Sequence, residues 1–156
     1  MQTASFPMHL EPLTQAITVV GIELRTTNQE AMQTIPPHWQ RFGQEHVLAG
    51  IAAKLSQDVM AVYTHFENAG ASNNGLYSLV LGAQVAAGAA VPAGMVRVVV
   101  PASDRAVFMV PAGRFDLVGA AWQTIWARTD LPKTYVAEYE RHGANSDIAV
   151  SIGLAR

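Results

Sequence analysis

The sequence predicts an α+β domain of two βαββ units, with two helices, seven or eight mostly antiparallel strands, and a groove between the halves. Three observations predict it. The 156 residues suit one domain with a hydrophobic core, which we assign to residues 1–156. Strand-type and helix-type segments follow each other in nearly the same order in both halves of the chain. A Trp-Gln pair also recurs in both predicted helices, as Trp39-Gln40 and Trp122-Gln123.

The first unit follows residues 1–15, an N-terminal lead-in in which no element is predicted. Ala16–Arg25 is rich in β-branched residues, which is typical of a strand. Gly21 at its centre indicates a bulge or a close approach of two backbones. The rest of the unit is a helix that opens at Pro36-Pro37, then strands at Asp58–Phe66 and Leu76–Val85.

The second unit repeats this order after a loop rich in alanine and glycine. Its helix is predicted from apolar residues at helical spacing and ends before Pro132, which forbids continuation. The predicted elements are strands at Met95–Val100 and Ala106–Val110, a helix at about Asp116–Arg128, and strands at Tyr135–Arg141 and Asp147–Leu154.

Composition excludes several functional classes. Half of the residues are hydrophobic and only 14% are charged, which indicates a large core or apolar surface reserved for a ligand or a second subunit. A homodimer is therefore left open. The net charge of −2 lacks the basic footprint of nucleic-acid binding. The uncharged run that ends at Val96 is too short in its apolar part to span a bilayer, and no signal peptide is visible, so we expect a cytoplasmic protein without membrane contact.

The sequence contains no recognisable motif for a metal site or a cofactor, so we predict neither. It contains no cysteine, which excludes disulfides, thiolate metal ligands and cysteine nucleophiles. Phosphate-binding glycine loops, the GxSxG elbow and the HExxH pattern are all missing from the chain. The five histidines lie far apart in the sequence.

The segment Tyr135–Arg141 is the most informative part of the chain for function. Strand alternation places Glu138 and Glu140 on one face and the tyrosines, among them Tyr139, on the other. If the tyrosine face packs under the helices, both carboxylates point away from the helices, toward the possible cleft between the halves. Two interpretations remain open: a solvent-exposed sheet face, or a carboxylate among aromatic rings that attracts a lipophilic cation.

Six motifs carry a resemblance that covers nearly the whole chain. In this order they resemble the GyrI-like family, the effector-binding domain of bacterial multidrug-responsive MerR-type and AraC-type transcription activators, in its stand-alone form. The motifs are VVGIELRTTN at Val19–Asn28, HWQRF at His38–Phe42, the hairpin Ala61–Val85, the crossover Val91–Gly113, AWQTIW at Ala121–Trp126 and EYERH at Glu138–His142.

The resemblance implies a protein that binds amphipathic, often cationic, small molecules in a hydrophobic groove with a buried glutamate. It places the family's ligand-binding glutamate at Glu140. Arg105 stands where the family often has an aromatic residue, and a cation near the groove would weaken its preference for cationic ligands. The first predicted strand leaves no room for a preceding helix-turn-helix, so we expect no direct DNA binding. The ligand-binding residues implied are Glu140, Glu138, Tyr63, Tyr77, Trp126, Tyr139, Phe108 and Trp39.

Three functions are compatible with this resemblance. The first is a stand-alone receptor for a lipophilic cation or an aromatic molecule, for which an open aromatic slot with one desolvated glutamate would be typical. The second is a hydrolase of reactive electrophilic compounds, in which Glu138 and Glu140 divide the acid and base roles. The third is a protein-interaction module similar to a gyrase inhibitor, which an exposed apolar edge would favour.

Overall fold

The computed structural model describes residues 6–155, which form two α-helices and eight strands. The helices are α1 (Ala31–Gln44) and α2 (Val118–Ala127). The strands are β1 (Met8–Leu13), β2 (Ile17–Thr26), β3 (Val59–Thr64), β4 (Tyr77–Val85), β5 (Val96–Val100), β6 (Ser103–Val110), β7 (Ala137–His142) and β8 (Ile148–Leu154). No helix within this range has the length and apolar character needed to cross a lipid bilayer.

All eight strands form one antiparallel sheet in the order β1-β6-β8-β7-β3-β4-β2-β5. The order is symmetric about the β7–β3 pair, since each half contributes a βαββ unit, β2-α1-β3-β4 or β6-α2-β7-β8. The strand that precedes each unit pairs with the other unit: β1 with β6 and β5 with β2. The predicted α+β fold with duplicated units is thereby confirmed.

Two glycines allow the long β2–β4 pair to form. Gly21 and Gly82 lie directly opposite each other in the register. A Cβ atom on either residue would overlap the backbone of the opposite strand. The strands therefore approach here more closely than side chains would permit. This confirms the close backbone approach predicted at Gly21.

Both helices cover the same face of the sheet, and this is the face that carries the two glutamates. Glu138 pairs with Tyr63 and Glu140 with Ala61 in the β3–β7 register, so these residues share a face. Trp122 of α2 donates a hydrogen bond to Glu140. The tyrosine face of β7 therefore does not pack under the helices, which was the condition for the carboxylates to point away from them. Tyr139 lies on the opposite face, in a buried cluster with Val62 and Val80.

Two parts of the first half differ from the prediction. α1 begins at Ala31, one turn before the Pro36-Pro37 pair, which lies inside the helix. Thr34 holds the added turn, because its hydroxyl hydrogen bonds Thr26 Oγ1 at 2.7 Å and the Glu30 carbonyl at 3.2 Å. β1 lies inside the segment interpreted as a lead-in. Its residues are mostly exposed at the edge of the sheet, so it lacks the apolar pattern that predicts a strand.

Candidate functional site

An open cavity of about 430 Å³ lies between the two helices, over strands β3, β4 and β7. The start of α1 forms one side, α2 forms the other, and the sheet forms the floor. We call it the aromatic cavity. Its lining residues are Asn28, Ala31, Met32, Ile35, Tyr63, Phe66, Asn73, Tyr77, Gly119, Trp122, Gln123, Trp126 and Glu138.

Five aromatic rings form a continuous wall of this cavity. Neighbouring ring centroids are 5.7 Å apart between Phe66 and Tyr77, 5.9 Å between Tyr77 and Tyr63, and 5.2 Å between Tyr63 and Trp122. Trp126 extends the wall at 6.1 Å from Trp122 and is 38% exposed at the rim. The Tyr63–Trp122 pair is edge-to-face and the other three pairs are tilted, and aromatic contacts at these distances stabilise the arrangement of the rings.

Glu138 is the carboxylate in the aromatic cavity. It is 4% exposed, and no group among residues 6–155 donates a hydrogen bond to it. Burial raises the pKa of Glu138 to about 7, although the charges of Arg105 and Lys133 act in the opposite direction. Burying an ionised carboxylate without a partner is costly, and the raised pKa reflects that cost. A cation bound next to Glu138 would stabilise the ionised form.

Glu140 lies two residues further along β7 and has a different environment. Its Oε2 accepts hydrogen bonds from Tyr63 Oη and Trp122 Nε1, both at 2.7 Å, and its Oε1 lies 2.9 Å from His142 Nε2. Burial and the Glu140 charge together raise the pKa of Tyr63 well above its ordinary value. Glu140 is 3% exposed and is not among the residues that line the cavity. It fixes two side chains of the aromatic wall.

The structure brings together half of the residues that the sequence analysis assigned to the site. Tyr63, Tyr77, Trp126 and Glu138 line the aromatic cavity, and Glu140 lies directly behind it. The other three lie elsewhere: Phe108 in the core under α2, Tyr139 on the opposite face, and Trp39 against His142 with a centroid distance of 5.4 Å.

Nine of the thirteen lining residues were not singled out as ligand contacts, among them Trp122, Phe66 and Met32. Trp122 lies on the apolar stripe of α2 and is 8% exposed, as is typical of a core residue, but it still reaches the cavity. Phe66 follows β3 directly, at the end of a predicted strand. Met32 lies in the turn of α1 that was not predicted, and it is 91% exposed at the cavity mouth. The spacing of Trp122 and Trp126, four residues apart on one helix, is the signal that could have found Trp122.

Arg105 does not lie near the aromatic cavity, contrary to what its position in the family pattern implied. The neighbouring residues Ala106 and Phe108 pack under α2, so alternation turns Arg105 to the opposite face of the sheet. There its guanidinium lies 5.1 Å from the centre of the Tyr139 ring. Its charge reaches Glu138 only across the sheet.

The sequence profile of the integron-associated effector binding proteins, the Cass2 family, matches residues 14–146. This chain belongs to that family. The match covers both βαββ units up to the turn before β8, so the resemblance to GyrI-like effector-binding domains is confirmed. No curated protein sequence matches the chain.

Solved structures share the Cass2 fold at low sequence identity. An integron cassette protein from the mobile metagenome of Vibrio cholerae has a TM-score of 0.74 at 18% identity, with 97% of this chain and 98% of that chain covered. SAV2435 bound to tetraphenylphosphonium has a TM-score of 0.77 at 17% identity, with 96% and 94% covered. A putative transcription regulation protein from Staphylococcus aureus has a TM-score of 0.69 at 14% identity, with 97% and 99% covered.

Proposed function

We propose that this protein binds lipophilic organic cations in the aromatic cavity, with Glu138 as the charge partner of the ligand. The observation that carries the proposal is the environment of Glu138, a desolvated carboxylate without a hydrogen-bond donor in an aromatic-lined cavity. A delocalised cation would offset the cost of the buried charge and contact the ring faces at the same time.

The size and the lining of the cavity support a ligand of this class. A volume of about 430 Å³ lies in the range of sites that enclose drug-sized molecules. Tyr63, Tyr77 and Trp126 provide ring surface around the ligand. Burial raises the pKa of Tyr77 to about 12, so its hydroxyl stays neutral and leaves Glu138 as the anion of the lining. The structure of SAV2435 holds a cation of this class, tetraphenylphosphonium, in the same fold.

Glu140 has a different role in this proposal. Its oxygens are already engaged by Tyr63, Trp122 and His142, so a ligand would have to displace a donor to reach them. We assign it the task of holding Tyr63 and Trp122 in position. An open aromatic slot with one desolvated glutamate is the arrangement that the sequence analysis associated with a receptor.

The test compares two ligands and three variants by isothermal titration calorimetry at pH 8. Tetraphenylphosphonium is the cation, and triphenylphosphine oxide is the uncharged probe of related shape. In Glu138→Gln we expect the cation affinity to fall about tenfold or more and the affinity for the neutral probe to change little. In Glu140→Gln both affinities should fall by similar factors, because the rings lose their anchor. Glu45→Gln, at the exposed residue that directly follows α1, should change neither.

Two outcomes would contradict the proposal. Equal losses for both ligands in Glu138→Gln, or none for either, would show that Glu138 is not the charge partner. A loss restricted to the cation in Glu140→Gln would assign that role to Glu140, as the family resemblance implied.

A further inference from the structure

A second cavity, of about 450 Å³, lies on the face of the sheet opposite the helices. The end of β1 and its connection to β2 form one side of the cavity. Residues of β4, β6 and β7 whose side chains lie on the face opposite the helices form the other side. We call it the arginine cavity. Its lining residues are Glu11, Pro12, Leu13, Thr14, Gln15, Ala16, Ile17, Gln84, Arg105, Tyr139 and Arg141.

Arg105 in this cavity is a buried cation without a carboxylate partner. It is 3% exposed, and no carboxylate within residues 6–155 forms an ion pair with it. Its partners are neutral: Ser151 Oγ at 2.7 Å, the carbonyl oxygens of Ala137 and Ser151 at 2.9 and 3.0 Å, and Ser103 Oγ at 3.1 Å. Gly153 makes room for it, because a Cβ atom there would lie 3.2 Å from Arg105 Nη1.

These contacts orient the guanidinium but place no counter-charge in contact with it, since Glu138 acts only from across the sheet and the Tyr139 ring lies 5.1 Å away. Four of its five N–H groups have acceptors, and the fifth, on Nη1, has none among residues 6–155. Burying a cation away from a counter-charge is costly, and burial accordingly lowers the pKa of Arg105. An anion in the adjoining cavity would offset that cost.

A second arginine strengthens the positive character of the cavity. Arg141 lies on the same face of β7 as Tyr139 and is held by Asp58 at 3.2 Å. Glu11 is the acidic residue of the lining, but its side chain is 61% exposed, so water screens its charge. Asp58 pairs with Arg141, and Glu11 lies opposite Arg105 in the β1–β6 register. Arg105 is therefore the buried cation of the lining that has no carboxylate in contact with it among residues 6–155.

We propose that the arginine cavity binds a small organic carboxylate. The free Nη1–H of Arg105 can donate a charge-assisted hydrogen bond to one oxygen of a carboxylate. The side chains of Thr14, Gln15 and Gln84 offer further donors. Leu13, Ile17 and the Tyr139 ring provide apolar surface for the organic part of the ligand. A bare inorganic anion would leave most of a 450 Å³ space unfilled.

Benzoate is the probe, titrated into the full chain at pH 8 and constant ionic strength, with benzyl alcohol as the uncharged analogue. Wild type should bind benzoate saturably, and the binding should persist when tetraphenylphosphonium is at saturation. Arg141→Gln should weaken benzoate about tenfold and leave benzyl alcohol unchanged. Arg41→Gln, an ion-paired arginine on exposed α1, is the matched control and should leave both unchanged.

Arg105→Lys is the second variant, because it keeps the charge at the buried position while losing the planar fork. It should weaken benzoate by a factor similar to that of Arg141→Gln, and thermal unfolding establishes that it is folded. Absence of saturable benzoate binding to wild type would overturn the proposal. So would equal weakening in Arg41→Gln, or displacement of benzoate by tetraphenylphosphonium, which would locate it in the aromatic cavity.

Discussion

The raised pKa of Glu138 should make the proposed binding of cations dependent on pH within the physiological range. Burial places this pKa at about 7 in the empty protein, and a bound cation stabilises the ionised form. The ligand must therefore pair with a carboxylate that is deprotonated. Affinity should rise with pH through 7 and level off above it.

The size of the effect follows from the fraction of Glu138 that is ionised. With a pKa of about 7, roughly 90% is ionised at pH 8 and roughly 10% at pH 6. If the protonated form keeps about one tenth of the affinity, as expected for Glu138→Gln, the dissociation constant for tetraphenylphosphonium should be about fivefold larger at pH 6 than at pH 8, and about tenfold larger if the protonated form does not bind. The neutral probe triphenylphosphine oxide should show no such change.

Calorimetric titrations in one mixed buffer at pH 6, 7 and 8 and fixed ionic strength measure this directly. The Glu138→Gln variant separates the contribution of this carboxylate from every other pH-dependent contribution to binding. The variant should bind weakly at every pH. A flat wild-type affinity, or a pH dependence that survives in Glu138→Gln, would refute the reasoning.

The remaining predictions concern stability, measured by urea denaturation without ligand. Burial raises the pKa of Glu138 from 4.5 to about 7, so its protonated form stabilises the fold below pH 4.5, and this contribution is lost as pH rises through 7. Glu138→Gln should thus be more stable than wild type at pH 8, by up to about 3 kcal/mol, and nearly equal to it at pH 4.5; parallel pH profiles would contradict this. Gly82→Ala should cost about 1–3 kcal/mol or more, because its Cβ atom would overlap the β2 backbone. Gly43→Ala, in open space near the end of α1, should instead be neutral or stabilise the protein by up to about 1 kcal/mol, and similar losses in both variants would show that the close approach is unimportant.

Local pattern was sufficient to predict most of the elements. β2 was predicted at Ala16–Arg25 and lies at Ile17–Thr26, and the second helix was correct to within about two residues. These segments bury a face, so their apolar periodicity is strong. β1 was missed because an exposed edge strand lacks that periodicity, and its pairing with β6 is a contact almost one hundred residues away in sequence.

The site was predictable in its chemistry but not in its arrangement. Resemblance and alternation singled out Glu138, Glu140, Tyr63 and Tyr77, all of which lie in or beside the aromatic cavity. The alternation of side chains along one strand assigns them to two faces, but it does not determine which face the helices cover. That choice depends on the register between β3 and β7 and on the contacts of Trp122, which are remote in sequence.

By itself, therefore, the sequence determined the α+β class, the doubled order of elements, and the presence of two acidic side chains on one face of β7. Only the tertiary structure decided what each acidic side chain does. Glu138 lies in the cavity without a donor, whereas Glu140 accepts hydrogen bonds from Tyr63 and Trp122 behind it. The physical reason is that desolvation and hydrogen bonding are set by neighbours from other strands and helices, and two glutamates of one strand are equivalent until those neighbours are in place.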